Sequence, residues 1–114
     1  MKIIMARGDL EIIPFGVFID GVQTSTEMDE IYFTVKQHYY DENVVFQKKL
    51  SNVGIASDGQ GTYTLTISPA DTEQLPFGTY DFDIEIVHEN DIKRTFNGTM
   101  ELCREVTHKS NEGV

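Results

Sequence analysis

Cysteine and basic residues are scarce in this sequence, and tryptophan is absent. The single cysteine, Cys103, excludes an intrachain disulfide and disfavours a disulfide-stapled secreted module. Its position near the end of an expected strand indicates a half-buried, unreactive side chain. Nine lysines and arginines against nineteen aspartates and glutamates give a net charge of -10, which would repel nucleic acid and an anionic membrane surface alike. We therefore expect neither as a partner.

Long apolar runs are also missing. No stretch approaches the roughly 20 apolar residues of a membrane-spanning helix. The N-terminus carries only Lys2 and Arg7 as positive charges and lacks the apolar core of a signal peptide. We expect synthesis in a cytoplasm, with residues 1–104 forming a single domain and residues 105–114 a flexible C-terminal tail.

Alternation of apolar and polar residues is the dominant pattern in what the chain does contain. It is clearest from Tyr80 to Ile86, where the apolar side chains interleave with Asp81, Asp83 and Glu85. A helix would scatter these residues around its circumference, whereas a strand places them on two opposite faces. The segment is therefore predicted to be a half-buried antiparallel strand with one acidic face.

Similar alternation recurs along the chain, separated by turn residues. It covers residues 31–36, 44–50, 62–67 and 95–102, and a short leading strand is expected at residues 2–5. Asp20-Gly21, Asp58-Gly59 and Glu89-Asn90-Asp91 provide turn chemistry between such segments. This spacing predicts an all-β fold, an immunoglobulin-like antiparallel β-sandwich of about seven strands.

Two segments depart from the regular pattern. The apolar alternation that begins at Leu10 and Ile12 changes phase after Pro14, so a bulge or a switch between sheets is expected at Pro14. Ser68 stands before a proline and is followed by acidic residues, the order of a capped helix start. One short helical turn is predicted at residues 69–75.

Directly after this turn, Leu75 and Gly78 flank a bend that leads into Tyr80, the first residue of the clearest strand. The arrangement resembles the tyrosine corner of immunoglobulin and fibronectin type III sandwiches. In that motif a tyrosine hydroxyl bonds to the upstream backbone and fixes a crossover between sheets. The resemblance implies a structural corner formed by Leu75, Gly78 and Tyr80, with the hydroxyl bound near Asp71 or Thr72.

A longer series of short motifs runs through the chain in order. The motifs are Gly8-Asp9, Phe33-Thr34-Val35-Lys36, Phe46-Gln47-Lys48, Gly61-Thr62-Tyr63-Thr64-Leu65-Thr66-Ile67, Asp71-Thr72 and Leu75-Pro76-Phe77-Gly78-Thr79-Tyr80. From about Gly8 to Leu102 the chain resembles bacteriophage and prophage proteins similar to the N-terminal domain of the phage baseplate upper protein. The resemblance implies a structural module of a phage tail or baseplate, made in the host cytoplasm and carried in the virion once assembled. Its partners would be other phage structural proteins or copies of itself.

No group of residues matches a catalytic motif. No serine lies in a nucleophile elbow, and His38, His88 and His108 are spread over two strand ends and the tail. Paired acids for glycoside hydrolysis could come from Asp81, Asp83 and Glu85, but we expect no cleft on this acidic face and nothing that raises the pKa of one carboxyl over the others. We therefore expect a protein that is not an enzyme and that binds no cofactor.

Acidic loops are the remaining candidates for a metal. The stretch Glu27–Glu30 and the turn Asp41-Glu42-Asn43 offer carboxylates on loops, the ligands that calcium prefers. Neither has the spacing of an EF-hand loop. Both are interpreted as ordinary acidic loops, and no metal site is predicted.

Tyr39 and Tyr40 form the candidate interface, because adjacent tyrosines beside polar residues are favoured in protein contact surfaces. In the alternative interpretation the pair only closes one end of the core. Two classes of function stay open. One is a structural and interaction module; the other is a small-ligand or carbohydrate-binding sandwich in which Tyr32, Tyr39 or Tyr40 stacks on a sugar ring.

Overall fold

The computed structural model describes residues 1–88 and 92–104, which form ten β-strands and one short helix. The elements are β1 (Lys2–Ala6), β2 (Glu11–Gly16), β3 (Phe18–Ile19), β4 (Val22–Gln23), β5 (Glu30–Lys36), β6 (Phe46–Lys49), β7 (Ile55–Ser57), β8 (Thr62–Ile67), α1 (Pro69–Thr72), β9 (Gly78–His88) and β10 (Ile92–Cys103). No helix in these residues is long and apolar enough to cross a bilayer. The predicted turn at Glu89-Asn90-Asp91 and the predicted tail at 105–114 lie outside the described residues.

Two sheets face each other and form a sandwich, which confirms the predicted all-β fold. One sheet has the strand order β1-β10-β9-β5-β6 and the other has the order β2-β8-β7. Immunoglobulin sandwiches distribute their strands in the same way. In an immunoglobulin domain the second, fifth and fourth strands lie in one sheet, and the third, sixth and seventh strands form the other. All pairs are antiparallel except β1 with β10, which run parallel. The separate hairpin β3-β4 turns at Asp20 and Gly21, which both have positive φ.

The core consists of the apolar faces that the alternation predicted. Tyr80, Phe82 and Ile84 of β9 are 4%, 4% and 7% exposed. Phe82 packs against Phe33 of the neighbouring strand β5, with 5.0 Å between ring centroids. From the opposite sheet Tyr63 contributes a buried ring, whose hydroxyl accepts a hydrogen bond from the backbone N–H of Met28 at 3.0 Å. The loop before β5 is thereby tied to the core.

The expected break at Pro14 was wrong. Strand β2 pairs with β8 without interruption from Glu11 to Gly16, and Pro14 lies opposite Thr64. A proline fits there because the other edge of β2 has no partner strand among the described residues. The inward face of the strand already begins at Ile13, which packs on the core, while Ile12 faces outward. No change of phase is needed.

The predicted helical turn is present but shorter than expected, since α1 ends at Thr72. Its first turn is capped by the Asp71 carboxylate, which accepts hydrogen bonds from the Ser68 N–H at 2.7 Å and the Ser68 hydroxyl at 2.9 Å. The same carboxylate lies 2.6 Å from the ammonium group of Lys48, a mostly buried residue of β6. An ion pair therefore joins the edge strand β6 to the crossover between the sheets.

Candidate functional site

The two most exposed large apolar or aromatic side chains of the described residues lie in the aromatic loop, residues 37–45, which joins β5 to β6. Tyr39 is 79% exposed and Tyr40 is 70% exposed. The Tyr40 ring stacks on His38 with 5.2 Å between centroids and 6° between planes, and it meets Tyr39 edge-on at 5.4 Å. The candidate interface predicted from the sequence is therefore a cluster of three rings that faces solvent.

Backbone hydrogen bonds hold this loop in place. The N–H of Tyr39 donates to the Asp81 carboxylate on β9 at 2.9 Å, and the N–H of His38 donates to the Asp41 carboxylate at 3.1 Å. Lys36 donates from its ammonium group to the backbone carbonyl of Asp41 at 2.7 Å. The rings are thus presented by a loop that is fixed to two strands of the sheet, which reduces the ordering cost of a contact.

A cleft of about 410 Å³ lies beside the loop on the outer face of the five-stranded sheet. Its floor consists of two rows of polar side chains across neighbouring strands β5, β9 and β10. The rows are Lys36, Asp81 and Thr99, and then Thr34, Asp83 and Asn97. Tyr39 forms the aromatic wall. The expectation that the acidic face of β9 has no cleft was wrong, because the aromatic loop rises beside that face.

The charge on the cleft floor is mixed. Burial raises the pKa of Asp83, the neighbouring Glu85 raises it further, and Lys36 opposes both. Asp83 therefore accepts a proton more readily than an ordinary aspartate as the pH falls. A floor with carboxylates, an ammonium group, hydroxyls and an amide suits hydrogen bonding to a polar, hydroxylated molecule.

The third tyrosine proposed for sugar stacking lies elsewhere. Tyr32 is a half-buried residue at the other end of β5, where the Lys49 ammonium group approaches its ring at 5.7 Å. It does not line the cleft. The structure brings together Tyr39 and Tyr40, and it separates both from Tyr32.

The acidic loops use their carboxylates as hydrogen-bond acceptors. Glu27 accepts from the Ser57 hydroxyl at 2.7 Å, and Glu30 accepts from the backbone N–H groups of Ile31 and Ser51. Asp41 binds the N–H of His38 within its own turn. Residues 1–88 and 92–104 contain no group of three or more histidine, cysteine, aspartate or glutamate side chains arranged to hold a metal ion.

The proposed tyrosine corner has a different acceptor from the one expected. The Tyr80 hydroxyl donates to the backbone carbonyl of Pro76 at 2.7 Å, not to the backbone near Asp71 or Thr72. Thr72 instead accepts from the N–H of Gly8 at 2.9 Å. Leu75 packs against the core, and Gly78, with a φ of 142°, begins β9. The bond spans only four residues, so it closes the bend before β9.

Cys103 is the last residue of β10. Burial raises the pKa of its thiol, and the adjacent Glu101 carboxylate raises it further. Both effects favour the neutral thiol over the nucleophilic thiolate.

Sequence reasoning missed Lys36 and Asp81 as residues that support the aromatic loop. Alternation correctly places Asp81 on the outer face, but only the pairing of β5 with β9 shows that it lies opposite Lys36. The sequence does indicate the contact of Lys36 with the turn. Only four residues separate Lys36 from Asp41, so the lysine side chain can reach the backbone of the turn.

No model of a known protein family matches the sequence, and no curated protein matches it either. The resemblance to phage baseplate proteins stays a prediction that these comparisons do not support.

Proposed function

We propose that the protein is a non-enzymatic structural and interaction module that binds a protein partner through the aromatic loop. The observation that carries the proposal is the cluster of His38, Tyr39 and Tyr40, whose rings pack on each other and not into the core. Tyrosine offers a large contact area with few torsions to fix. Because the loop is already held by Asp81 and Lys36, binding would immobilise little that is not ordered beforehand.

The setting that we propose for this module is a bacteriophage tail or baseplate, on the strength of the motif resemblance from Gly8 to Leu102. Its partners would be other virion proteins or further copies of the chain. It would be made in the host cytoplasm and enter the virion on assembly. An overall charge of -10 keeps such a protein soluble before it assembles.

The test is a double substitution, Tyr39→Ala with Tyr40→Ala. Assembly is measured by size-exclusion chromatography with light scattering and by co-purification with the products of neighbouring genes. We expect loss of the complex, since hot-spot tyrosines typically cost 2 kcal/mol or more, about 30-fold in affinity. Val53→Ala is the matched control, because Val53 is exposed but lies in the connection between β6 and β7, outside the loop. Unchanged assembly of the double variant would contradict the proposal.

The cleft favours a second candidate function, the binding of a carbohydrate or another small hydroxylated ligand. Tyr39 would stack on the ligand, and Asp83 would accept a hydrogen bond from a hydroxyl. The volume of about 410 Å³ lies within the usual range for small-molecule sites.

The two functions predict different responses to single substitutions. A protein contact through the ring cluster is weakened by both Tyr39→Ala and Tyr40→Ala. A sugar in the cleft is lost with Tyr39→Ala or Asp83→Asn, whereas Tyr40→Ala has little effect because Tyr40 does not line the cleft. A glycan array followed by titration calorimetry measures the second set, and an array without any hit would leave the protein contact as the sole candidate.

A further inference from the structure

The sandwich is open along one side seam, between β10 of one sheet and β2 of the other. Strand β1 pairs with β10 only from Thr99 to Cys103. The preceding half of β10, Ile92–Gly98, pairs with β9 on one edge, and no strand in the described ranges pairs with its other edge. A free edge of this kind presents main-chain donors and acceptors to another strand.

The direction of these donors follows from one hydrogen bond. The N–H of Thr99 donates to the backbone carbonyl of Met1 at 3.2 Å, so it faces the edge that β1 occupies. Backbone N–H groups alternate between the two edges along a strand, which places those of Asn97 and Thr95 on the same edge. Beyond Met1 that edge is uncovered by any described strand.

An apolar groove of about 300 Å³ lies directly beside this edge, between the two sheets. The β10 side contributes Phe96, which is 53% exposed, and the opposite wall includes Phe15 of β2 and Phe18 of β3, the latter 62% exposed. Met1 closes one end, and the groove floor includes Ile84 of β9. Large apolar side chains that stay exposed around one groove are typical of a binding surface.

One exposed arginine, Arg94, lies beside the groove in a strongly acidic protein. Arg94 is exposed on the same face of β10 as Phe96 and lines the small adjoining pocket with Phe18. An incoming segment with a carboxylate near Arg94 would therefore be favoured.

We propose that this seam is an acceptor site for an extended segment of another protein. The segment adds as a strand to the free edge of Ile92–Gly98, places alternate apolar side chains in the groove and sets a carboxylate against Arg94. Main-chain pairing supplies affinity, and the groove selects side chains at every second position. An added strand would pair with the N–H groups of Thr95 and Asn97, which no strand of residues 1–88 and 92–104 contacts on that edge, whereas a helix satisfies its own backbone groups. The groove opens between the two sheets, whereas the aromatic loop and its cleft lie on the outer face of the five-stranded sheet, although the side chain of Asn97 lines that cleft. The proposal does not depend on the proposed function.

The probe is a synthetic nine-residue peptide that is added to the full chain. It has valine at the odd positions and threonine at the even positions, and one glutamate replaces the central valine, so that its carboxylate is on the same face as the valines. We expect saturable binding by fluorescence anisotropy and at least about tenfold slower amide hydrogen exchange at Thr95 and Asn97. A peptide of the same composition with its valines grouped together is the matched control and should not bind. Absence of binding at about 1 mM peptide, or protection of amides elsewhere, would overturn the proposal.

Two variants locate the site on the edge. Thr95→Pro removes one outward donor and leaves the ladder with β9 intact, so the chain should fold and lose at least about tenfold in peptide affinity. Thr95→Ala keeps the N–H and should bind as the parent does. If circular dichroism shows that Thr95→Pro is unfolded, Phe96→Ser tests the groove side with the same expected loss. If folded Thr95→Pro or Phe96→Ser binds the peptide as tightly as the parent does, the proposal is overturned. If the same amides are protected without peptide, by self-association, the assignment of the site to a separate partner is overturned.

Discussion

The two ends of the sandwich differ in how far their side chains and strand edges are paired. At the corner end, where β1 and β10 stop and β9 begins, loops are tied together by side chains: Arg7 donates to the carbonyl of Leu75 at 3.1 Å, and Thr72 accepts from Gly8 at 2.9 Å. The Arg7 guanidinium also lies 3.9 Å from the centroid of the Phe77 ring. At the seam end, the rings of Phe18 and Phe96 face solvent, and half of one strand edge has no described partner.

The corner end thus holds paired polar groups that stabilise the fold, whereas the seam end leaves large apolar side chains exposed. Polar groups that are buried and paired at the corner end are costly to disturb, because each lost partner leaves a desolvated donor or acceptor. Apolar groups that stay exposed at the seam end contribute little to folding and keep their surface for another molecule. Substitutions should therefore have large effects on stability near the corner and small effects near the seam.

The largest expected effect comes from the core beneath the corner. Leu102 of β10 is 2% exposed, and Leu102→Ala should lower the free energy of unfolding by about 2–5 kcal/mol. Leu10→Ala makes the same chemical change at an exposed position and is the matched control. Urea unfolding followed by circular dichroism measures both, and equal losses would show that the apolar face of β10 is not the core.

The ion pair at the corner should come next. Lys48→Met removes the ammonium group from Asp71 and keeps an apolar stem of similar length. We expect a loss of about 1–3 kcal/mol at pH 7, because a partly buried carboxylate loses a charged donor. Lys49→Met is the matched control, since Lys49 precedes the same turn and its ammonium approaches the ring of Tyr32 and not the Asp71 carboxylate.

The same variant has a pH signature. Burial raises the pKa of Asp71, but hydrogen bonds from Lys48 and Ser68 outweigh it and hold the pKa below its ordinary value. A carboxyl with a depressed folded pKa stabilises the fold above its unfolded pKa, and this contribution is lost as the pH falls through the folded value. The difference between the parent and Lys48→Met should be complete at pH 7 and shrink below about pH 4. An unchanged difference at pH 3 would show that the carboxylate charge plays no part.

The corner hydroxyl should have a smaller effect. Tyr80→Phe removes the hydrogen bond to Pro76 while the ring keeps its place in the core, and we expect a loss of about 0.5–1.5 kcal/mol. Tyr40→Phe is the control, because its hydroxyl belongs to an exposed side chain. If thermal unfolding finds both variants equal to the parent, the hydroxyl bond does not stabilise the corner.

Much of the fold follows from local patterns. Tyr80, Phe82 and Ile84 are buried because they share one face of a strand, and Ser68 with Asp71 caps the helical turn as their spacing indicates. The phase of β2 was misjudged because Ile12 and Ile13 are both apolar, so alternation alone does not say which one faces inward. Their exposure depends on the pairing of β2 with β8, which is a long-range contact.

The candidate sites were less predictable for the same reason. The tyrosine pair stands out in the sequence, but the cleft beside it needs the register that aligns Lys36 with Asp81, and the seam needs the knowledge that β1 stops at Met1 against Thr99. Residue Phe96 illustrates the limit. It alternates in phase with buried Met100, yet it is 53% exposed, and no strand of the described chain covers that end of β10.

The smallest effect, and the one that sharpens the contrast most, should come from the seam itself. Phe18→Ala removes a large ring, but the ring is 62% exposed, so the free energy of unfolding should change by about 0.5 kcal/mol or less. Calorimetry of this variant beside Leu102→Ala compares an aromatic and an aliphatic truncation in one domain. A loss above about 2 kcal/mol would place Phe18 in the folding core. In that case the seam would be a closed part of the sandwich, with no surface left for an added strand.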